Sequence, residues 1–266
     1  MRLSEHLKKA SLVGAFFVSA FFAVAASATC SPPGPLQIQK VAQVIDGDTL
    51  RLADGRSVRL IGLNTPELGR KGRRAEPFAE RAKRRLQALI EANGGQVGLH
   101  AGEQARDNYG RWLAHAFDSA GNNLEAALLA EGLGYFVVVR PNAALAACHL
   151  AAERRARDAG LRLWRTSPVQ SAQSIRQGGF AVLEGRVERV ERNRGGVWLD
   201  LQGGVTVQVP VAALGAFGRA RLDELPGRSV EVRGWVIDRA RRQGRTPRAR
   251  WLIQITHPTM LVDVRN

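Results

Sequence analysis

A chain of 266 residues has room for one large domain or two small ones. Its net charge of +15 makes a polyanion the first expected partner, with nucleic acid ahead of an anionic membrane surface. Its two cysteines, Cys30 and Cys148, exclude a disulfide-rich scaffold and allow one bridge at most.

The N-terminus reads as a leader. Arg2, Lys8 and Lys9 give a basic start, Leu12 to Ala26 is apolar, and Ala26-Ser27-Ala28 fits a small-residue cleavage site. An apolar run of about fifteen residues falls short of the roughly twenty that span a bilayer. Residues 1–28 are therefore expected to be a signal peptide, giving an exported (periplasmic or secreted) protein; an uncleaved anchor is the alternative. The residues before Cys30 lack the leucine of a lipidation site. In an oxidising compartment Cys30 could bridge to Cys148, the alternative being two free thiols.

Residues 29–37 form a Pro-rich lead-in. Strands are expected at Ile38 to Ile45, Thr49 to Leu52 and Ser57 to Leu63, with Asp54-Gly55 as a hairpin turn. A helix is expected over Glu76 to Ala92, where Phe78, Ala82, Leu86 and Leu89/Ile90 share one face. Strands at Gln96 to His100 and Arg111 to Asp118 follow, then helices at Asn123 to Glu131 and Ala143 to Ala159, each stopped by a glycine. Five strands with helices inserted and appended point to an α+β domain over 38–165, built on a small antiparallel barrel. Residues 166–179 are polar and aperiodic and read as a linker. Over 180–266, short strands at Ala181 to Val190, Gly196 to Leu201, Val205 to Val209, Ser229 to Ile237 and Trp251 to Ile255 predict a second, smaller all-β domain of OB-like type. A helical insertion is expected at Val211 to Leu222, and no sequence repeat links the two halves.

Chemistry concentrates in Val44-Ile45-Asp46-Gly47-Asp48-Thr49 and Arg59-Leu60-Ile61-Gly62-Leu63-Asn64-Thr65-Pro66-Glu67. Oxygen donors suit a hard cation, a guanidinium fork suits phosphate, and a carboxylate can activate water. Asp48 follows a turn glycine, Asn64 ends a strand, and Thr65-Pro66 forces a turn that aims Glu67. Arg59 and Arg111 are the candidate phosphate clamps. Read alone, Asp46 and Asp48 are ordinary turn residues, and only the larger set makes a site.

Together with Arg106-Asp107-Asn108-Tyr109-Gly110-Arg111 and Gly160-Leu161-Arg162-Leu163-Trp164, these motifs resemble the staphylococcal nuclease (thermonuclease) family over about residues 39–164. The resemblance implies a five-stranded OB-fold β-barrel with appended helices. It also implies calcium-dependent endonuclease action on DNA and RNA with little sequence specificity, leaving 3′-phosphorylated ends. It would make Asp48, Asn64 and the carbonyl of Thr65 ligands of Ca2+, Glu67 the base, and Arg59 and Arg111 the catalytic, phosphate-binding arginines, with Tyr109 a substrate contact. Two departures stand out. Asn64 replaces an aspartate of well-known members, and Val137-Val138-Val139 replaces tyrosines that contact the nucleotide. An alternative is therefore a catalytically weakened nucleic-acid-binding or scaffold protein; a binder of phospholipid surfaces is a third reading.

The expected partners are DNA and RNA, with no membrane span once the leader is removed and a monomeric chain. His100, His115, His149 and His257 show no metal-ligand spacing. Arg70 to Arg74 reads as a solvated loop or as a substrate-steering one. Arg239, Arg241, Arg242, Arg245, Arg248 and Arg250 crowd one loop of the second half, as a phosphate grip or as a solubilising loop.

Overall fold

Alternating apolar and polar side chains curl the first half of the chain into a barrel. The computed structural model describes residues 30–69, 72, 74–218, 222–240 and 249–264. The expected signal peptide lies outside them, as do Arg70, Lys71 and Arg73 of one basic loop and Arg241, Arg242, Arg245 and Arg248 of the other. β1 (Gln37–Asp46), β2 (Thr49–Leu52) and β3 (Ser57–Leu60) form an antiparallel meander. β4 (Leu63–Asn64) leaves the barrel, and after α1 (Ala79–Ala92) the strands β5 (Gln96–Arg106) and β6 (Trp112–Phe117) complete it. Closure runs β1-β2-β3-β6-β5, with β3 and β6 parallel. α2 (Leu124–Ala130), β7 (Tyr135–Phe136) and α3 (Ala146–Asp158) follow. Leu50, Leu52, Val58, Leu60 and Val97 fill the barrel, with Leu86 of α1 and Leu128 of α2 buried in the same core.

The third strand stops at Leu60 rather than Leu63. Gly62 sits at φ +86°, and a Cβ there would collide with the His149 ring of α3. Only glycine fits a left-handed residue so close to a side chain. The break frees Leu63 and Asn64 to pair with Phe136 and Tyr135. α1 starts at Ala79, later than expected, because Phe78 is left-handed (φ 70°) and cannot continue a helix inward. β5 runs on to Arg106, six residues past His100, because backbone pairing with β6 needs no apolar alternation. Cys30 is disulfide-bonded to Cys148 of α3, with Cα atoms 5.5 Å apart.

The second half repeats the plan. β8 (Val169–Ser171) precedes β9 (Gly179–Asn193), β10 (Gly196–Leu201) and β11 (Val205–Pro210). Then come α4 (Leu214–Phe217), β12 (Ser229–Asp238), β13 (Trp251–Gln254) and β14 (Leu261–Asp263). β9, β10, β11, β13 and β12 pair in that order, and β12 returns to β9, with β11 and β13 parallel. Strand order and the place of the parallel pair match the first barrel, as an OB-like fold requires. The stretch expected to be a linker supplies β8, parallel to Val182–Glu184 of β9. Its polar sequence suffices because the pairing is through backbone groups. The helical insertion is interrupted: a 3-10 turn at Val211–Ala213 runs into α4, Gly218 breaks it at φ +70°, and Leu222 and Asp223 are again helical, with 219–221 outside the described residues.

Buried charge joins the barrels. Arg233 of β12 donates to Glu153 of α3 and to Glu231, and Arg157 forms a two-pronged pair with Glu231 at 3.0 and 2.7 Å. Burial pushes the Glu153 carboxyl up against the pull of Arg233. For Glu231, hydrogen bonds from Arg157 and the charge of Arg233 outweigh burial and hold the carboxyl low. Replacing Arg233 by Ala strands the Glu153 carboxylate, Glu231 keeping Arg157, and a loss of about 3–5 kcal/mol in unfolding free energy is expected by urea titration. Arg233→Met combined with Glu153→Gln and Glu231→Gln should recover most of that loss.

The histidines that lack ligand spacing in sequence meet in the fold. Donor atoms of His115, Glu125 and His149, all buried, lie within 4.8 Å of one another. Glu125 accepts the Ala116 N–H at 3.0 Å and the Asn123 amide at 2.6 Å, tying α2 to β6. Asn123 Oδ1 accepts from Ala126 N–H and faces His149 Nε2 at 2.9 Å, so Nε2 carries the imidazole proton. The Nδ1 atoms of His115 and His149 stay buried without a hydrogen-bond partner among the described residues, that of His115 lying 3.5 Å from Glu125 Oε1. Burial, helped by His115, pushes His149 down to about 3. Its folded value lies below the unfolded one of about 6.5, so the unfolded chain binds the extra proton between those limits. Stability is therefore complete above about pH 7 and falls as pH drops from there towards 3, by up to about 1.4 kcal/mol per pH unit from this group. Asp46 and Glu153, with raised values, act in the opposite direction. The difference between wild type and His149→Gln in denaturant titrations from pH 7 to 4 isolates the term; parallel pH profiles would refute it.

Candidate active site

The β1–β2 turn is two residues long, because Asp46 pairs with Thr49 and leaves Gly47 and Asp48 at the tip. Gly47 is needed for space: a Cβ would lie 2.7 Å from both Ala82 of α1 and the Thr65 methyl. With the tip pressed against α1, the Asp48 side chain turns inward and is only 6% exposed. Its Oδ2 accepts the Thr65 N–H at 2.8 Å and the Thr65 hydroxyl at 3.0 Å, and its Oδ1 accepts the Thr49 hydroxyl at 3.1 Å. The break at Gly62 is what brings Asn64 and Thr65 to this tip.

Arg59 of β3 closes the cluster. Its Nη1 donates to the carbonyls of Leu60 and Leu63, each at 2.8 Å. Its Nη2 lies 3.2 Å from Asn64 Oδ1 and 3.2 Å from Asp48 Oδ2. The guanidinium thus sits among the oxygens that sequence assigns to a cation. The structure gathers Asp48, Arg59, Asn64 and Thr65 at one point. Glu67, two residues beyond Thr65, is exposed. Its backbone N–H is held by the Glu76 carboxylate at 2.9 Å, and Glu76 N–H returns to the Glu67 carbonyl. Its own carboxylate has no hydrogen-bond partner among the described residues.

Arg111 precedes β6. Val58 is opposite Trp112 and Arg59 opposite Leu113, so Arg111 and Arg59 fall on the same face of adjacent strands, two register steps apart. Arg111 Nε donates to Asp107 Oδ2 at 2.7 Å, while Asp107 Oδ1 accepts the backbone N–H groups of Tyr109 and Arg111. These bonds hold the Asp107 carboxyl below its ordinary value despite its burial. Tyr109, 86% exposed, has its ring centroid 5.6 Å from the Arg111 guanidinium. The loop between the first two strands and the loop between the last two are the edge that OB folds use for oligonucleotides. Asp48 and Arg111 belong to those two loops.

Asp46 is the residue that sequence reasoning left as a turn. Its Oδ1 accepts the Asp48 N–H at 3.1 Å, and burial together with the Asp48 charge pushes it up to about 6. Asp46 and Asp48 bring two carboxylates close together at this tip, with Arg59 beside Asp48. Asp46, Asp48, Asn64 and the Thr65 carbonyl are all hard oxygen donors, so the residues fit Ca2+ by type. The signal was present in sequence as the second acid of Asp46-Gly47-Asp48. The valines that replace tyrosines also find a reason. Val137 and Val138 are buried, Val138 N–H meets Met260 Sδ at 3.4 Å, and Arg140 N–H meets the Thr256 hydroxyl at 3.2 Å. The second barrel meets the segment at Val138 and Arg140, while Val139 between them is 51% exposed.

Comparison with known proteins agrees with this architecture. Residues 57–166 match the family model described as staphylococcal nuclease homologue. "Endonuclease YncB" of Bacillus subtilis (strain 168) is 30% identical over 129 residues, covering 47% of this chain and 60% of that protein. "SPbeta prophage-derived endonuclease YokF" of the same organism is 29% identical over 126 residues, covering 46% and 42%. The chain thus spans between two fifths and three fifths of these relatives' lengths. The barrel closure and the strand order agree with that match, and residues 57–166 are similar to the staphylococcal nuclease homologues.

Proposed function

We propose that the protein is an exported, calcium-dependent endonuclease that hydrolyses phosphodiester bonds of DNA and RNA. The observation that carries this reading is the convergence of Asp48, Asn64, Thr65 and Arg59 at the β1–β2 turn, with the exposed Glu67 carboxylate two residues further on. Asp48, Asn64 and the Thr65 carbonyl, joined by Asp46, would hold the ion, which supplies positive charge at the phosphate. Glu67 takes a proton from the attacking water. Arg111 offers its terminal nitrogens to the phosphate while Asp107 fixes its Nε, so that little reorganisation is needed as charge develops. Arg59, anchored by two carbonyls, brings a second guanidinium to the same face. Export is supported by the leader-like N-terminus and by the Cys30–Cys148 pairing, which suits an oxidising compartment.

Digestion of plasmid DNA and of RNA should require Ca2+ and stop with chelator. Glu67→Gln should lower kcat by about 10²–10⁴-fold and Arg111→Ala by a comparable factor. If wild type and both variants are equally inert while nucleic acid is still bound, the protein is the catalytically weakened binder that Asn64 and the buried valines would suit. Asn64→Asp adds a charged donor, so half-maximal activity should be reached at lower Ca2+. An unchanged or higher requirement would remove Asn64 from the ion's shell.

A further inference from the structure

The two barrels share more than strand order. In the first, β6 starts at Trp112, paired in parallel with Val58 of β3, and Arg111 stands directly before it. In the second, β13 starts at Trp251, paired in parallel with Val205 at the start of β11, and Arg250 stands directly before it. Each arginine is held by an aspartate where the preceding strand ends, Asp107 just after β5 and Asp238 the last residue of β12: Arg111 Nε by Asp107 Oδ2 at 2.7 Å, Arg250 Nη2 by Asp238 Oδ2 at 2.8 Å. In each, the arginine's carbonyl closes the loop, accepting the N–H of Asp107 at 3.0 Å or of Arg239 at 2.9 Å. A guanidinium covers each tryptophan, Arg106 at 4.6 Å over Trp112 and Arg250 itself at 4.5 Å over Trp251. Sequence hides the repeat because the loops differ, Asp107 and Arg111 being four residues apart and Asp238 and Arg250 twelve.

The catalytic groups do not recur. Thr206, opposite Leu252, takes the register station that Arg59, opposite Leu113, holds in the first barrel. The turn corresponding to Gly47-Asp48 is Arg194-Gly195, between paired Asn193 and Gly196, and carries no carboxylate. What persists is the anion-binding element, and it is more open: the Arg250 side chain is 56% exposed against 33% for Arg111. Asp238 engages Nε and Nη2, and Nη1 has no hydrogen-bond partner among the described residues.

We propose that Arg250, set by Asp238 and Trp251, is a second phosphodiester-binding site, non-catalytic, which holds the nucleic-acid backbone away from the site of cleavage. The assignment rests on the nuclease reading of Arg111, whose arrangement it repeats, and on the +15 charge of the chain.

The test is fluorescence anisotropy with the full chain after leader removal, in chelator, on a labelled single strand of about thirty nucleotides, enough to reach both barrels. Arg250→Gln should weaken binding threefold to tenfold and reduce the slope of log K against log salt by about one. Cleavage of a dinucleotide should be unchanged. Equal affinity and slope in variant and wild type would overturn the proposal. Because Arg250→Gln also breaks the Asp238 pair, wild-type protein gives an independent reading. The oligonucleotide should protect Arg250 from phenylglyoxal, followed by mass spectrometry, and full modification in its presence would equally overturn the proposal. Neither readout needs catalysis. Loss of binding without nuclease activity would sink the enzymatic reading and leave this site standing.

Discussion

The buried carboxylate of Glu153 is where the separate parts of the molecule meet. One oxygen accepts the Phe136 N–H at 2.8 Å, and the other takes Arg233 from the second barrel. Phe136 is the register partner of Leu63, so this carboxylate fixes the short ladder that carries Asn64. A carboxylate this deep is costly without a cation, and the second barrel provides that cation. The geometry of the candidate site therefore depends on a charge contributed from the other half of the chain.

Within the site the governing constraint is charge density. Asp46 and Asp48 flank Gly47 at the β1–β2 tip, and burial together with the Asp48 charge pushes the Asp46 carboxyl up to about 6. Arg59 is committed to two carbonyls as well as to Asp48 and Asn64, so its position is set before any ligand arrives. With an amide at position 64, the cluster carries one negative charge fewer than an aspartate would give. That substitution lowers the mutual repulsion of the acids, and it also lowers the pull on a cation. Arg111 faces neither constraint, having one aspartate partner and a partly exposed guanidinium.

Most strands were legible because Val, Ile and Leu alternate with polar residues along them, and the acids and arginines of the site stood out by chemical type. What escaped was set by residues far along the chain. Nothing around Gly62 announces a strand break, since its cause is the His149 ring on α3. β8 is polar and pairs only through its backbone. His115, Glu125 and His149 show no spacing because three different elements bring them together. The three valines looked like lost nucleotide contacts. Val138 is instead an apolar residue buried under Met260, a relation that only the docking of the second barrel creates.

The shared architecture of the two barrels separates what the fold demands from what the chemistry demands. Parallel pairing of the third and fifth strands forces a long return, and in both barrels that return ends with an arginine tied to an aspartate and a tryptophan starting the strand. An Asp–Arg pair at such a position closes the loop by itself, so its presence in both barrels has a structural reason. At the β1–β2 turn Asp48 holds Thr65 and Arg59 in place, but Asp46 beside it is raised by burial and by the Asp48 charge, a cost that Arg194-Gly195 avoids at the corresponding turn. Groups kept at an energetic cost are the ones a fold does not need for itself. That cost supports the chemistry proposed for the β1–β2 turn, while the exposed Arg250 in the other barrel supports the binding role proposed for the same frame.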